Sequence, residues 1–539
     1  MGKPNRREQE GEVSVKRLMA ALLLLCLVCC AARAETRRKA GDFSYAALAD
    51  GTAEIVGYSG DAAAVDIPAE LDGLTVTGIG QTAFSECAGL ISVTIPDTVA
   101  AIGENPFRFC ENLTEIHVSP EHPALAVIDG VLFRKADRAL ICFPAGRKDE
   151  TWAVPAGITR VEGAAFAGCK SLKSVVLPDS LTGIGDSAFA GCADLTGMVV
   201  PAGVTRIGNS AFEGCASLSG ILLPGGLTAI GDSAFSRCSA LAAVTIPDSV
   251  TAIGDSAFAW CESLAGVTIP AGVADIGNYA FSWCTGLTGV TIPYTVTAIG
   301  ANPFRNCERL TEIRVSTEHP FLAVVDGMLY RKTDWTLICC PIGRKNEACA
   351  IPVGTAAIGD SAFAWCTGLT SVTIPFGVTE IGDSAFAGCS GLTGLALPES
   401  VTGIGDYAFY GCTGLTGVAL PDSVTRVGNA AFLFCSALTG VRIPDGVTGI
   451  GNYAFYNCKA LTAVRIPDSV TAIGDYAFKG CEALAALTVP AGVTAIGAQA
   501  FEGCSSLTLT VPRDSAAAQY CRDNGLRYEY PDSLDWLNN

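Results

Sequence analysis

Half of the 539 residues are hydrophobic and only 16% are charged, so the chain can bury an extensive core and is not a disordered polymer. Beyond residue 34 it carries 29 Lys/Arg against 50 Asp/Glu, a net charge of −21. A surface that acidic repels phosphate backbones, which excludes nucleic acid as a partner.

At the N-terminus, Lys16 and Arg17 precede an unbroken apolar stretch from Leu18 to Cys30, and Ala32-Arg33-Ala34 supplies the small residues that a signal peptidase accepts. Residues 1–34 therefore read as a secretory signal peptide cleaved after Ala34, leaving Glu35 first. The apolar stretch is shorter than the ~20 residues of a spanning helix. Nothing later resembles one, so the mature chain is expected to lack a transmembrane span and to lie outside the cell or at its surface. Lipidation of Cys30 is the alternative, against which Cys29 occupies a place where that motif takes a small residue.

From residue 79 to 510 one phrase recurs: Ile-Gly-Asp-Ser-Ala-Phe-x-x-Cys-x-x-Leu-x-x-Val-x-Ile-Pro-x-x-Val-Thr-x. Its cysteine falls at Cys87 and Cys110, at seven positions from Cys169 to Cys307, and at seven more from Cys366 to Cys504, always 23 residues apart within a run. Two gaps of 59 residues, Cys110–Cys169 and Cys307–Cys366, mark longer units at about 114–165 and 311–362. They lie 197 residues apart, which implies duplication of a multi-repeat block. Periods of this size mean a solenoid.

One unit shows why. Leu264, Val267 and Ile269 alternate inward as a short strand, and Pro270 ends it because it cannot donate a ladder hydrogen bond. Val273 and Ile276 mark a second inward stretch, and Gly277 is expected to permit a sharp turn. Asn278, in a column mostly of Asp or Asn, is expected to cap a short helical turn carrying Ala280 and Phe281. Cys284 then points back inside. A single unit cannot bury its apolar face, but stacked copies can. The expected core is a pair of ladders: Phe189, Phe212, Phe235, Phe258 and Phe281 beside Cys192, Cys215, Cys238, Cys261 and Cys284.

The Leu-x-x-Val-x-Ile-Pro, Ile-Gly-Asp-x-Ala-Phe and Cys-x-x-Leu phrases resemble the BspA-type (Treponema-type) leucine-rich repeats of bacterial surface proteins, over roughly residues 41–530. Asp129-Gly130-Val131-Leu132-Phe133 and Asp326-Gly327-Met328-Leu329-Tyr330 resemble the longer, hairpin-bearing unit of such arrays. Phe43 to Thr77 resembles the N-terminal strand cap, placed at 35–78. Residues 511–539 resemble the C-terminal cap, with a helix expected near Ser515–Asn524. The resemblance implies a leucine-rich-repeat solenoid of short β-strands, turns and short helical turns, exposed at the surface or secreted. It also implies adhesion-type binding of a host-surface or other extracellular protein or glycan.

The search for chemistry finds none. There are three histidines: His117 on an expected strand, and His122 and His319 in equivalent Glu-His-Pro phrases, which read as surface-loop residues. No Cys/His pairing has metal-ligand spacing, no phosphate loop or dinucleotide fingerprint appears, and the repeated Ser after Asp has no histidine beside it. No catalytic activity, cofactor or metal is expected. Sixteen of the 24 cysteines share one repeat position and read as small buried hydrophobes. Cys340 and Cys349, found only in the second long unit, are the disulfide candidates.

Two surfaces are candidates for a partner. One is the outward column of the strand face, with Val176, Val199 and Leu222 in an apolar run and Arg442 and Arg465 further along; high strand propensity is the plainer explanation. The other is the basic hairpins of the long units, with Arg134, Lys135, Arg138, Arg331 and Lys332, where charge could instead serve solubility. A structural envelope rod without a ligand is the rival reading.

Overall fold

A computed structural model describes residues 37–345 and 347–531; the expected signal peptide and cleavage site lie outside the described residues. Among those described, no helix is long and apolar enough to cross a membrane. The chain divides into two compact units, one running to Lys148 and taking in Arg160–Cys169, the other made of Asp149–Thr159 and everything from Lys170 onward.

The first unit opens with antiparallel strands Arg38–Ala40, Phe43–Ala47 and Ala53–Tyr58. Pairing turns parallel where Ala53–Tyr58 meets Leu74–Ile79, which in turn meets Ala101–Ile102. A second parallel ladder joins Ala64–Asp66, Ser92–Ile95 and Glu115–Val118. The long unit then adds an antiparallel hairpin, Leu125–Ile128 with Val131–Arg134, followed by Ala139–Cys142. Asp129 and Gly130 join the first two strands with φ 49° and 76°, the left-handed pair that a two-residue turn between right-twisted strands requires.

In the second unit parallel ladders stack coil on coil. Gly197, Met198 and Val199 pair with Gly220, Ile221 and Leu222, and Arg206 and Ile207 with Ala229 and Ile230, each 23 residues on. Because one register places like residues over like, the columns are uniform: Phe189, Phe212, Phe235, Phe258 and Phe281 are fully buried. Successive rings lie 5.2–5.3 Å apart and within 11° of parallel. The second hairpin, Leu322–Val325 with Met328–Arg331, repeats the first, again with a left-handed Asp326-Gly327 turn. The array closes on the helix Ala516–Asn524, where the Ser515 side chain accepts the Ala518 N–H at 3.1 Å and Gly525 ends the helix left-handed.

Three expectations need correction. The segment from Asp or Asn to Cys is not helical. Ala190 N–H donates to Ser187 C=O and Cys192 N–H to Phe189 C=O, but the intervening amides of Ser187, Phe189 and Gly191 donate to Asn209, Ala211 and Glu213 of the next coil, all at 2.7 Å. Left-handed backbone at Ser187 and Gly191, φ 56° and 72°, turns those amides outward, and a helix cannot form through them. The Asp/Asn column is consequently not a row of helix caps. Each side chain accepts the amide of its counterpart one coil later: Asn209 N–H to Asp186 Oδ1 at 2.7 Å, Asp232 to Asn209 at 3.0 Å, Asp255 to Asp232 at 2.9 Å and Asn278 to Asp255 at 2.7 Å. Gly277 has no left-handed φ; a Cβ there would lie 2.5 Å from the backbone nitrogen of Asp255, so close approach of the preceding coil, not a sharp turn, demands the glycine.

The insertions are sutured by buried asparagines. Asn105 Nδ2 donates to the Ala164 carbonyl at 2.6 Å, and Asn302 Nδ2 to the Ser361 carbonyl at 2.7 Å, each across 59 residues.

Candidate binding surfaces

The strand face presents the expected outward column. Val176, Val199 and Leu222 are 63%, 64% and 61% exposed on three adjacent coils, with Val199 directly opposite Leu222. Beside them stand half-buried Ser174, Gly197 and Gly220, so the aliphatic side chains rise from a flat bed. Thr245, Thr268 and Thr291 continue the column, and Arg314 follows with its guanidinium on Glu312 at 2.7 Å; that contact holds the Glu312 carboxyl below the usual range. Further along, Arg442 bonds Asp422 at 2.6 Å, and Arg465 approaches Asp445 at 3.6 Å. The strand-face cations therefore sit in a lattice of carboxylates.

The hairpin cations are engaged within their own units. Arg134 makes a two-pronged contact with Asp137 at 2.9 and 2.7 Å and also meets Glu162; the first of these holds the Asp137 carboxyl below its usual range. Arg331 contacts Asp334 at 3.1 and 3.0 Å. The Lys135 and Lys332 ammoniums turn back to the His122 and His319 carbonyls, both at 2.6 Å. Arg138 is exposed at its turn, with φ 54°.

His122 and His319, expected in surface loops, are fully buried. His319 Nε2 lies 3.1 Å from the Pro293 carbonyl, while its Nδ1 accepts the Phe321 and Leu322 amides at 3.2 and 3.1 Å. His122 repeats this with Pro96, Ala124 and Leu125. Only the neutral imidazole protonated at Nε2 satisfies all three contacts. The Glu-His-Pro phrase is thus a buried brace of the hairpin entry, and its alignment across two copies was the signal for such a role. His117 is exposed on its strand, 3.1 Å from Glu115.

The cysteine column is buried as expected and does more than fill space. Cys215, Cys238, Cys261 and Cys284 each donate a thiol hydrogen bond of 3.2 Å to the carbonyl of the phenylalanine one coil back. Desolvation pushes thiols such as Cys110, Cys307 and Cys412 up to about 12, far from nucleophilic. All the described cysteines are free thiols, the candidate pair Cys340 and Cys349 included; those two share one small cavity with Cys366. Among the described residues no group of three or more His, Cys, Asp or Glu is gathered to hold a metal ion.

Sequence reasoning missed the residue just before each repeat cysteine. It is left-handed in every coil: glycine at Gly168, Gly191, Gly214, Gly388, Gly411, Gly480 and Gly503, tryptophan at Trp260, Trp283 and Trp365, and Glu86, Phe109, Arg237, Asn306, Phe434 and Asn457 at the rest. That alternation was visible in the repeat alignment.

The family model described as "BspA type Leucine rich repeat region (6 copies)" matches residues 69–138, 141–265, 251–320, 356–484 and 448–520. Among solved structures, a leucine rich cell surface protein from Faecalibacterium prausnitzii A2-165 is 26% identical, covering 91% of this chain and 97% of that one with a TM-score of 0.36. A leucine-rich repeat protein from Bacteroides ovatus is 25% identical, covering 92% and 99% at a TM-score of 0.33. The pneumococcal vaccine antigen PcpA is 18% identical, covering 92% and 98% at a TM-score of 0.38. No curated protein matches the sequence.

Proposed function

Because the chain belongs to the BspA-type leucine-rich-repeat family, we propose that it is a secreted or cell-surface, non-catalytic adhesion scaffold that binds an extracellular protein through the strand face of its second unit. The observation that carries this reading is the run of Val176, Val199 and Leu222, three large aliphatic side chains more than 60% exposed on consecutive coils. Desolvating them against a partner is favourable at about 25 cal/mol per Å², and a contiguous exposed apolar strip marks interaction sites. The hairpins support recognition less well, since Lys135 and Lys332 brace buried turns and Arg134 is already paired. The uniform threonines of the neighbouring coils are what favours the rival spacer role.

The test is capture of host-surface and envelope proteins by the full chain and by the triple variant V176D/V199D/L222D, with R442E/R465E for comparison. The strand-face variant should lose the captured partner while its melting profile stays unchanged. Equal capture by all three chains transfers the role to another surface, and no specific capture by any leaves the spacer.

A further inference from the structure

From the turn edge of the second unit we infer a separate binding site for a neutral oligosaccharide, floored by tryptophan. Trp260 and Trp283 stack face to face, with centroids 4.0 Å apart and planes 8° from parallel, and Trp365 lies 6.0 Å from Trp283 at 57°. Trp283 and Trp365 line an open cleft of about 1000 Å³, together with Thr288, Glu308, Arg309 and Thr311, all four exposed. That volume is at the upper end of what small-ligand sites use.

The three tryptophans occupy a position that disfavours them. Their φ angles are 63°, 61° and 65°, the left-handed region that seven other coils fill with glycine and six with Glu86, Phe109, Arg237, Asn306, Phe434 or Asn457, and a bulky residue there is strained. Trp365 adds a buried indole N–H without a hydrogen-bond partner among the described residues. Its ring lies over Gly388 so closely that a Cβ on that glycine would come within 2.6 Å. Glycine, which seven coils of the column use, would avoid that strain. Retaining three indoles against that cost in one row, two of them at the wall of one cleft, points to a ligand.

The chemistry around the rings selects its class. Flat indole faces attract the C–H face of a pyranose through dispersion and weak C–H contacts. A carboxylate and a guanidinium beside two threonine hydroxyls offer paired acceptors and donors for sugar hydroxyls. Glu308 and Glu347 balance Arg309 and Lys345, so the lining carries no net charge to select a charged ligand. A purely apolar peptide would leave these polar groups unpaired. The site is distinct from the strand-face column, so each can fail without the other.

Tryptophan emission of the full chain, titrated with chitohexaose, mannohexaose, cellohexaose and xylohexaose, reads the site directly. At least one should shift the emission saturably, and W283A/W365A should weaken it at least about tenfold, as expected for losing the aromatic anchors of a small site. W283F/W365F, which keeps ring faces and guards against a folding defect, should stay within about threefold of the parent. V176D/V199D/L222D should bind the saccharide normally. The inference is overturned if none of the four saccharides shifts the emission, if W283A/W365A binds as the parent does, or if only a proline-rich peptide used as the comparison ligand binds at these tryptophans.

Discussion

Phe281 has both ring faces covered, by Phe258 at 5.3 Å and Phe304 at 5.8 Å, and is fully buried. Phe281→Ala should therefore cost about 3–5 kcal/mol, the range for deleting a core aromatic whose cavity cannot collapse. Limited proteolysis should reveal first cuts in the adjoining coils, because each coil rests only on its neighbours. Gly277→Ala is a sharper test of coil spacing. Its new methyl would meet the Asp255 Oδ1 at 2.5 Å and also backbone, the Asp255 nitrogen at 2.5 Å and the Gly254 carbonyl carbon at 2.6 Å, which cannot rotate away. It should destabilise more than Asn278→Ala, which removes one ladder acceptor at a cost of about 1 kcal/mol. Urea midpoints of the two variants compare them; an equal or smaller loss in Gly277→Ala would mean the coils can separate locally. Thiols belong to the same scale. Cys87, Cys340 and Cys349 are half-buried and the other described cysteines buried, so alkylation of the folded chain should label few thiols and unfolding should release the rest. Thiols that stay unlabelled after unfolding without reductant would reveal disulfides, with Cys340–Cys349 the first pair to map.

The second hairpin entry behaves as an element with a titratable brace. Burial, the leading cause, lowers the affinity of His319 for a proton below its ordinary value of 6.5; the Pro293 carbonyl opposes this and the nearby Lys332 adds to it. Above about pH 6.5 folded and unfolded chains are both neutral at this residue, and its stabilising contacts are intact. As pH falls below that value the unfolded chain takes up a proton that the folded chain refuses, so stability declines until the folded-state value is reached. The melting temperature of the second unit should therefore fall between about pH 7 and 5, and His319→Gln should flatten that fall. Parallel curves for parent and variant would assign the acid sensitivity to other groups. Lys332 contributes by holding the His319 carbonyl, which is why its substitution would test the hairpin's integrity before it tested any partner.

For the whole molecule, repetition separates folding from recognition. The ladders of phenylalanine, cysteine and Asp/Asn recur from coil to coil, so they carry stability and no address. The proposed recognition is assigned to departures from the repeat: the aliphatic run at 176–222 and the tryptophans at 260, 283 and 365. Export belongs to this scale as well. The Ala-x-Ala site predicts that the secreted chain begins at Glu35, which its intact mass will check; a lipid-modified Cys30 would instead tether the protein to a membrane.

The 23-residue spacing of sixteen cysteines and the Leu-x-x-Val-x-Ile strand phrase were enough to determine the solenoid, its buried columns and its outward face, because a repeat in register must place like residues over like. The Asp-Gly hairpin turns and the Ser515 cap act through their immediate neighbours, so they belong to what local sequence can carry. What only the tertiary structure decided involves residues far apart in the chain. The Asp/Asn side chains resemble helix caps until the next coil supplies the amide they accept. Gly277 resembles a turn glycine until the preceding coil fills the space beside it, and His319 resembles a loop residue until the Pro293 carbonyl closes over it. Lys135 and Lys332 look like free surface charges until the hairpin brings histidine carbonyls within reach. In each case the deciding partner lies at least 13 residues away, beyond what local pattern can assign.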